Sequence, residues 1–177
     1  MTALLQLFRC QLCGDPYLGA APPSFCPFCG APEKYLVPAE DYVDRNDVPH
    51  LSAKSRANLE KALELEVNNA AFYFCASNCS PDPVAQAMFK ALAKAESEHA
   101  SVICKILKKK KPDIQPDEKA CQRDPRANFA ASHEREKRAV AFYRQSADEA
   151  TEERVKEVFT ALAEVESYHI ALSEARM

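Results

Sequence analysis

Four cysteines near the start of the chain are arranged as two close pairs. Two residues separate the members of each pair, and twelve separate the pairs. The four residues are Cys10, Cys13, Cys26 and Cys29. A glycine follows each pair (Gly14 and Gly30) and allows a tight turn that aims backbone amide groups at sulfur. Four thiolates at this spacing are typical of a closed tetrahedral site for zinc or for a single iron ion. The segment Cys-Pro-Phe-Cys-Gly at 26–30, with Tyr17 and Tyr35 as core aromatics, favours the one-iron redox centre, and a structural zinc is the alternative.

The second chemical feature is a repeat that carries glutamate and histidine. The pattern Phe-x-Ala-Leu-Ala-x-x-Glu-Ser-x-His spans residues 89–99 and recurs over residues 159–169, an offset of 70. The same offset relates two further glutamates and two tyrosines. These pairs are Glu66 with Glu136 and Tyr73 with Tyr143. The repeat predicts an approximate internal two-fold axis, and a site on that axis should receive equivalent ligands from each half.

Six acidic or imidazole side chains of this repeat fall on apolar helix faces. They are Glu66, Glu96, His99, Glu136, Glu166 and His169. Burying four unpaired carboxylates would cost on the order of several kcal/mol each, and no lysine or arginine lies near them on these faces. Two divalent cations would neutralise the four charges, and carboxylate oxygen with imidazole nitrogen suits iron or manganese. The alternative is a pair of helices joined by surface salt bridges.

The spacing of these residues is typical of di-iron carboxylate proteins. In that pattern one glutamate comes from each of two helices and Glu-x-x-His comes from each of the other two. Tyr73 and Tyr143 lie two turns from the glutamates of their own helices, where they can hydrogen bond to ligand carboxylates. The alternative is that both tyrosines only fill the core.

The distribution of glycine and proline predicts the elements that position these residues. All three glycines lie in the first 30 residues, so this part should contain turns and short strands. The predicted helices span about 53–79, 83–110, 125–148 and 151–176. Asp82, Asp124 and Thr151 are the predicted N-caps of the last three. The longer connection between the second and third helices predicts a mainly α, ferritin-like four-helix bundle with one long crossover.

The chain of 177 residues divides into three predicted parts. They are a rubredoxin-like four-cysteine domain at 1–38, a linker at 39–52 and the di-iron bundle at 53–177. The net charge of −3 gives no drive toward nucleic acid or an anionic membrane. No apolar stretch is long enough to span a bilayer, and residues 1–9 are interpreted as mature protein, so we expect a cytoplasmic location.

The other cysteines and a lysine run carry weaker signals. Cys75 and Cys79 are interpreted as reduced packing residues, with a redox pair or a partner-facing patch as alternatives. Cys104 and Cys121 belong to no motif, and a disulfide framework is not expected. The lysines at 108–111 are interpreted as a solvated helix end, and the alternative is a docking patch for an acidic electron donor.

Together these motifs resemble the rubrerythrin family, over nearly the whole chain. That family joins a rubredoxin-like one-iron domain to a ferritin-like di-iron bundle, and here the rubredoxin-like part comes first, as in its reverse-order members. The resemblance implies reduction of hydrogen peroxide, or of oxygen, to water. It implies electrons supplied by an NAD(P)H-dependent reductase or a rubredoxin, and a homodimer in which the electron path can run between subunits.

The resemblance also implies a ligand set. One iron ion would be held by Glu66, Glu96 and His99, and the other by Glu136, Glu166 and His169, with Glu96 and Glu166 as bridges. Typical members carry one more glutamate a turn after the third-helix glutamate, where this chain has Ala139. His133 lies one turn before Glu136 and is expected to pack rather than to bind metal. The missing glutamate keeps open a ferroxidase or iron-handling function, and a redox or iron sensor with a zinc ribbon is a third hypothesis.

Overall fold

Four long helices form the body of the molecule, which a computed structural model describes for residues 4–177. They are α1 (Ala53–Cys79), α2 (Pro83–Leu107), α3 (Pro125–Glu149) and α4 (Glu153–Glu174). Helix α1 packs along α2, α3 packs along α4, and α1 also contacts α3. The long connection between α2 and α3, residues 108–124, is the predicted crossover. Residues 1–3, which begin the segment interpreted as mature protein, lie outside the described residues.

A small antiparallel sheet precedes the helices. Its strands are β1 (Gln6–Cys10), β2 (Pro16–Gly19) and β3 (Leu36–Pro38), in the order β2-β1-β3. Strand β1 pairs Phe8 with Tyr17 on one side and with Pro38 on the other. The predicted fold class is confirmed: a mainly α body follows a small β-containing four-cysteine segment.

Side-chain caps begin the first three helices, two of them as predicted. Asp82 accepts a hydrogen bond from the Val84 amide, and Asp124 accepts one from the Arg126 amide, each at 3.0 Å. A proline occupies the first helical position after both aspartates, where its missing N–H costs nothing. Ser52 caps α1 by accepting from the amide of Ser55.

The start of α4 and the end of α2 differ from the prediction. The N-cap of α4 is Glu152 rather than Thr151, and its side chain does not cap its own helix. Its carboxylate instead accepts hydrogen bonds from the Ser52 amide, at 2.5 Å, and from the Ser55 hydroxyl, at the start of α1. Helix α2 ends at Leu107, earlier than predicted, because Lys108 adopts a left-handed backbone conformation with a φ of 55°.

The internal repeat is visible in the packing of aromatic side chains. Tyr73 stacks on Phe89 with ring centroids 6.2 Å apart, and the equivalent pair, Tyr143 and Phe159, has a separation of 5.9 Å. Both pairs have an interplanar angle of 19°. These stacks lie in the two halves of the bundle core, so the 70-residue offset of the sequence is also a structural symmetry.

The four-cysteine segment packs directly on the bundle and shares its core. Its cysteines belong to the same buried cluster as Ile103 and Ile106 of α2 and Val158 of α4. Within residues 4–177, no helix combines the length and the apolar character that a bilayer crossing would require.

Arg154 is the main polar link between the N-terminal part and α4. This side chain is 8% exposed, and its guanidinium donates to the carbonyl oxygens of Gln11 and Leu12 at 2.9 and 3.2 Å. It also donates to the Asn46 side-chain oxygen and pairs with Glu157 at 2.8 Å. The single guanidinium therefore pairs with acceptors from two non-helical segments, the first cysteine loop at residues 11–12 and the connection at residue 46.

We expect Arg154→Ala to reduce the free energy of unfolding by about 3 kcal/mol, because it leaves several buried acceptors unpaired. Arg154→Lys should recover part of the loss, since lysine keeps the charge but not the planar set of donors. Arg144→Ala, a change at an exposed arginine of α3, is the matched control for urea denaturation. A loss in Arg154→Ala no larger than in the control would contradict the assigned role.

Candidate metal centres

The four predicted cysteines converge in the N-terminal segment. The Cys10–Cys29 and Cys13–Cys26 sulfur pairs are 3.7 and 3.8 Å apart, and all four residues are buried. A regular tetrahedron with metal–sulfur bonds of about 2.3 Å has sulfur–sulfur edges of about 3.8 Å. The sulfurs are therefore spaced for one tetrahedral ion, and the set fits a rubredoxin-like knuckle.

Two positive-φ glycines close the loops that carry these cysteines. Gly14 has a φ of 87° and donates to the Cys10 carbonyl at 2.8 Å, and Gly30 has a φ of 75° and donates to the Cys26 carbonyl at 2.9 Å. The expectation that the turns aim amide groups at sulfur holds for Asp15, whose N–H lies 3.5 Å from the Cys13 sulfur. The glycine amides themselves bind carbonyl oxygens.

The six glutamates and histidines of the repeat meet inside the bundle. All six are buried, and they form two groups that share two members. The groups are Glu66, Glu96, His99 and Glu166, and Glu96, Glu136, Glu166 and His169. Helices α2 and α4 contribute the shared glutamates, and α1 and α3 each contribute one glutamate to a single group. The structure thus brings together every side chain that the sequence predicts for this site.

The orientation of His99 shows what the cluster requires at its centre. Its Nε2 lies 2.8 Å from the Cys29 carbonyl oxygen, which can only accept, so Nε2 carries the proton in the neutral ring. Its Nδ1 faces carboxylate oxygens of Glu66, Glu96 and Glu166 at 3.2 to 3.5 Å. If Nδ1 carried no proton, its lone pair would face the lone pairs of the carboxylate oxygens, which repel it. A proton shared between Nδ1 and these oxygens, or a cation among them, is therefore needed.

The electrostatics of the cluster point to the same requirement. Burial and the Glu96 carboxylate raise the pKa of both Glu66 and Glu136 well above its ordinary value. Burial lowers the pKa of His99, but the carboxylates of Glu66 and Glu166 raise it by more, and the pKa of His169 is raised in the same way, first by Glu166. Without a cation, the cluster is an acid-rich pocket that retains protons.

Several buried polar atoms of this cluster make no well-aligned hydrogen bond, although histidine Nδ1 atoms lie 2.7 to 3.5 Å from some of the carboxylate oxygens. They are Oε2 of Glu66, Oε1 of Glu96, Oε2 of Glu136, both oxygens of Glu166 and Nδ1 of His169. Buried atoms of this kind normally have a partner. Hard oxygen atoms and imidazole nitrogen are a donor set that suits iron or manganese. The residues therefore fit two metal ions.

The two tyrosines contact ligand carboxylates across the symmetry axis. Tyr73 of α1 donates to Glu136 of α3, and Tyr143 of α3 donates to Glu66 of α1. The sequence predicted a contact with a carboxylate but could not show that each tyrosine would reach the opposite half. These hydrogen bonds fix Oε1 of each carboxylate, whereas Oε2 of each makes no well-aligned hydrogen bond.

The two halves differ in the polar groups behind the tyrosines. The Tyr73 hydroxyl also lies 2.6 Å from the Ser132 hydroxyl, which lies 2.8 Å from that of Ser173. The equivalents of these serines in the other half are Ala62 and Ile103. The buried hydroxyl chain that ends at Glu136 therefore occurs on one side of the site only. Comparing the two halves of the repeat for polar-to-apolar changes would have found it.

Two departures from the family pattern are visible in the structure. Ala139 is buried among apolar side chains and supplies no ligand atom. His133 belongs to neither metal group, and its Nδ1 lies 3.8 Å from Glu174 near the end of α4. His133 thus does not replace the absent glutamate.

The two candidate centres touch within one chain. The loop that carries Cys29 and Gly30 lies over both histidines, since the Cys29 carbonyl accepts from His99. A side chain at Gly30 would begin 3.1 Å from Val165 and 3.9 Å from Nε2 of His169. No sequence pattern revealed this contact, because it joins residues 70 positions apart through the packing of two different elements.

The remaining cysteines correct one interpretation. Cys75 and Cys121 form a disulfide, so Cys75 is not a reduced packing residue and Cys121 is not isolated. The sequence gave no signal for this pairing, because residue 121 lies in a connection whose path depends on tertiary packing. Cys104 is a free, buried thiol, as expected of a packing residue.

Comparisons with known proteins support the metal-binding fold. The family model described as Rubrerythrin matches residues 57–176. A solved structure, a hypothetical protein from Pyrococcus furiosus, has 20% identity and a TM-score of 0.59, with 68% of this chain and 86% of that chain covered. This likeness shows the fold alone. None of the curated proteins matches the chain.

We expect Glu96→Gln to abolish metal binding in both groups, because Glu96 is a member of each. Metal analysis should find about two ions fewer per chain, with the four-cysteine ion retained. Glu98→Gln, on the same helix but outside both groups, is the matched control. Unchanged metal content in Glu96→Gln would contradict the assignment.

Loading of the metal-free bundle should release protons at neutral pH. The raised pKa values of Glu66, Glu136, His99 and His169 mean that these groups hold protons which an incoming cation displaces. Metal affinity should therefore fall as the pH is lowered, and proton release should shrink as it is raised. Calorimetry in two buffers of different ionisation enthalpy measures the release. Equal heats in both buffers would contradict the expectation.

Proposed function

Because the chain belongs to the rubrerythrin family, we propose that it is a non-haem di-iron oxidoreductase that reduces hydrogen peroxide to water. The observation that carries this proposal is the contact between the two candidate centres. A four-thiolate cluster that fits a one-electron metal ion lies against a buried carboxylate cluster that fits two ions, and the hydrogen bond from His99 to the Cys29 carbonyl joins them.

We assign the ligands by their position in the two groups. Glu66 and His99 would hold one iron ion, Glu136 and His169 would hold the other, and the shared Glu96 and Glu166 would bridge them. Iron ions held by these residues would supply the two electrons and the Lewis acidity that O–O cleavage needs. The bridging role needs a carboxylate whose two oxygens serve different ions, and the oxygens of Glu166 lie 3.2 Å from Nδ1 of His99 and 2.7 Å from Nδ1 of His169.

The residues around the ligands control orientation and protons. Reduction of one peroxide to two waters consumes two electrons and two protons. The hydroxyl of Tyr73, backed by Ser132 and Ser173, places an exchangeable proton next to Glu136 inside a water-poor core. The Cys29 carbonyl keeps Nδ1 of His99 turned toward the carboxylates, since it binds the proton on Nε2.

The electron path supported by this geometry lies within one chain. The four-cysteine cluster would receive single electrons from an NAD(P)H-dependent reductase or a rubredoxin, and Cys29 and His99 provide the bonded contact to the bundle. The homodimer implied by the family is therefore not required for transfer.

Three of the lysines at 108–111 contact this chain itself. The pairs are Lys108 with Asp47, Lys109 with Glu60 and Lys111 with Ser97.

A second candidate function is ferroxidase or iron handling, and Ala139 favours it. The chain lacks the additional carboxylate of typical family members at this position, and His133 does not take its place. A ferroxidase would turn over added Fe(II) with oxygen and retain the iron. The two candidates therefore differ in the preferred oxidant and in the amount of iron kept.

The peroxidase proposal is tested by mixing reduced, iron-loaded protein anaerobically with peroxide or with oxygen. We expect peroxide to oxidise both centres faster than oxygen does, because the proposed site is built for O–O cleavage with electrons from a second centre. Rapid-mixing absorbance spectroscopy follows the visible bands of each centre. The proposed sites hold three iron ions per chain, one in the four-cysteine group and one in each of the two Glu/His groups. Faster oxidation by oxygen, together with retention of more than three iron ions per chain, would favour the ferroxidase candidate.

We expect Tyr73→Phe to lower the rate of peroxide reduction by about tenfold or more while metal content stays unchanged. Tyr143→Phe is a matched control, because it removes the equivalent hydroxyl from the half that lacks the serine pair. Steady-state rates with a saturating donor measure both. Equal losses in the two variants would show that the tyrosines only position carboxylates.

A further inference from the structure

Three cysteines outside the proposed catalytic site meet at one end of the bundle. Cys75 and Cys79 are one turn apart at the end of α1, and Cys121 lies in the connection between α2 and α3. Cys75 and Cys121 form a disulfide. Cys79 is a free thiol whose sulfur lies 3.0 Å from the Cys121 sulfur. Neither the family pattern nor the proposed peroxide chemistry uses these residues.

The placement of the three sulfurs differs from that of the metal-type cluster. The four N-terminal cysteines are buried and have sulfur pairs 3.7 and 3.8 Å apart, which suits a shared ion. Here two sulfurs are already bonded to each other, and the third lies closer to one of them than thiolates that share a tetrahedral ion would. A free thiol in contact with a disulfide sulfur is instead the arrangement of reactants in thiol–disulfide exchange.

Accessibility separates the roles of the three sulfurs. Cys75 is buried, whereas Cys79 and Cys121 are partly exposed. All three cysteines line a surface cavity of about 320 Å³, together with residues that include Pro116, Glu118 and Arg123. Because Cys121 is more exposed than Cys75, a small thiol entering this cavity can reach the Cys121 sulfur more readily.

We propose that Cys75, Cys79 and Cys121 form a thiol–disulfide exchange site that takes small thiols. In the internal step the Cys79 thiolate attacks the Cys121 sulfur, the bond between Cys79 and Cys121 forms, and the bond between Cys75 and Cys121 breaks. Cys75 leaves as a thiolate, so charge and electrons balance without an external oxidant. The cross-link between α1 and the connection is kept, but it moves from one sulfur of α1 to another.

An external thiol enters the same sequence from the cavity. Its thiolate attacks the Cys121 sulfur, forms a mixed disulfide there and releases Cys75 as a thiolate. Cys79 then attacks the Cys121 sulfur, forms the second protein disulfide and releases the small thiol unchanged. Cys79 and the released Cys75 can thus both displace the small thiol, and mixed disulfides should not accumulate on the intact site.

The fold tolerates the exchange because other contacts hold the connection. The Asp117 amide donates to the Ala71 carbonyl of α1 at 3.2 Å. Gln122 is paired through its backbone with the Asn128 side chain, with distances of 2.9 and 2.6 Å. The connection therefore stays in place on α1 and α3 while the disulfide changes partner.

The test maps free thiols in the metal-loaded full chain after incubation with a small monothiol. The monothiol is used at about 0.1 mM because a thiol on the same chain has an effective concentration in the millimolar range, so the protein disulfides should persist. The reaction is quenched in acid, and free thiols are alkylated in denaturant. Cys75 and Cys79 lie on one tryptic peptide, so fragment ions must locate the label. We expect the label to be divided between Cys75 and Cys79. Label on Cys79 alone, or an absence of any disulfide among the three after equilibration with the oxidised small thiol, would overturn the proposal.

Two variants and a control make the test specific. Cys79→Ser should hold about twice as much mixed disulfide on Cys121 as the unaltered chain, because only Cys75 remains to displace the small thiol. Cys75→Ser should close the Cys79–Cys121 disulfide. Cys104→Ser, at a free cysteine outside the cluster, should behave as the unaltered chain does. Equal mixed-disulfide levels in Cys79→Ser and Cys104→Ser would overturn the role of Cys79.

Discussion

Four buried carboxylates around two imidazoles are the constraint on which the rest of the bundle depends. Each glutamate comes from a different helix, so the helices cannot shift relative to one another without separating the group. In water-poor surroundings the acids must be protonated, paired with protonated histidine or shared with cations. The protein supplies a tyrosine hydroxyl to two of the carboxylates and leaves at least one oxygen of each of the four without a well-aligned hydrogen bond, which is an arrangement that suits cations.

The internal repeat explains both the symmetry of this site and its one clear asymmetry. Helical hairpins of the same pattern place equivalent ligands on either side of an axis, and each tyrosine crosses to the glutamate of the other half. The symmetry ends behind Tyr73, where Ser132 and Ser173 replace the apolar residues of the other half. A duplicated metal site can thus keep equivalent ligands while only one half acquires a buried hydroxyl chain, because that chain lies behind the ligands and not among them.

Sequence patterns predicted the elements and the convergence of the site well, for a physical reason. Helical periodicity and caps are local, so the starts of α1, α2 and α3 and the inward faces of all four helices could be derived from neighbouring residues. The N-cap of α4 was wrongly placed at Thr151, because the role of Glu152 depends on its contact with the start of α1. The pairing of Cys121 was missed because it joins residues 46 positions apart. The contact of Cys29 with His99 has the same character: it depends on how two separately predictable parts pack.

The way in which the N-terminal part packs decides what kind of chemistry the chain can support. A carbonyl oxygen of a cysteine in the four-sulfur cluster bonds to a histidine of the carboxylate cluster, so the two sites share one polar contact in a continuous apolar core. Arg154 holds that packing from the other side, through the carbonyls of Gln11 and Leu12 in the first cysteine loop. Since Arg154 and Lys105 both bind carbonyl oxygens of the first loop and His99 binds one of the second, the two candidate centres are held in contact within one chain, which is the arrangement that the proposed electron path requires.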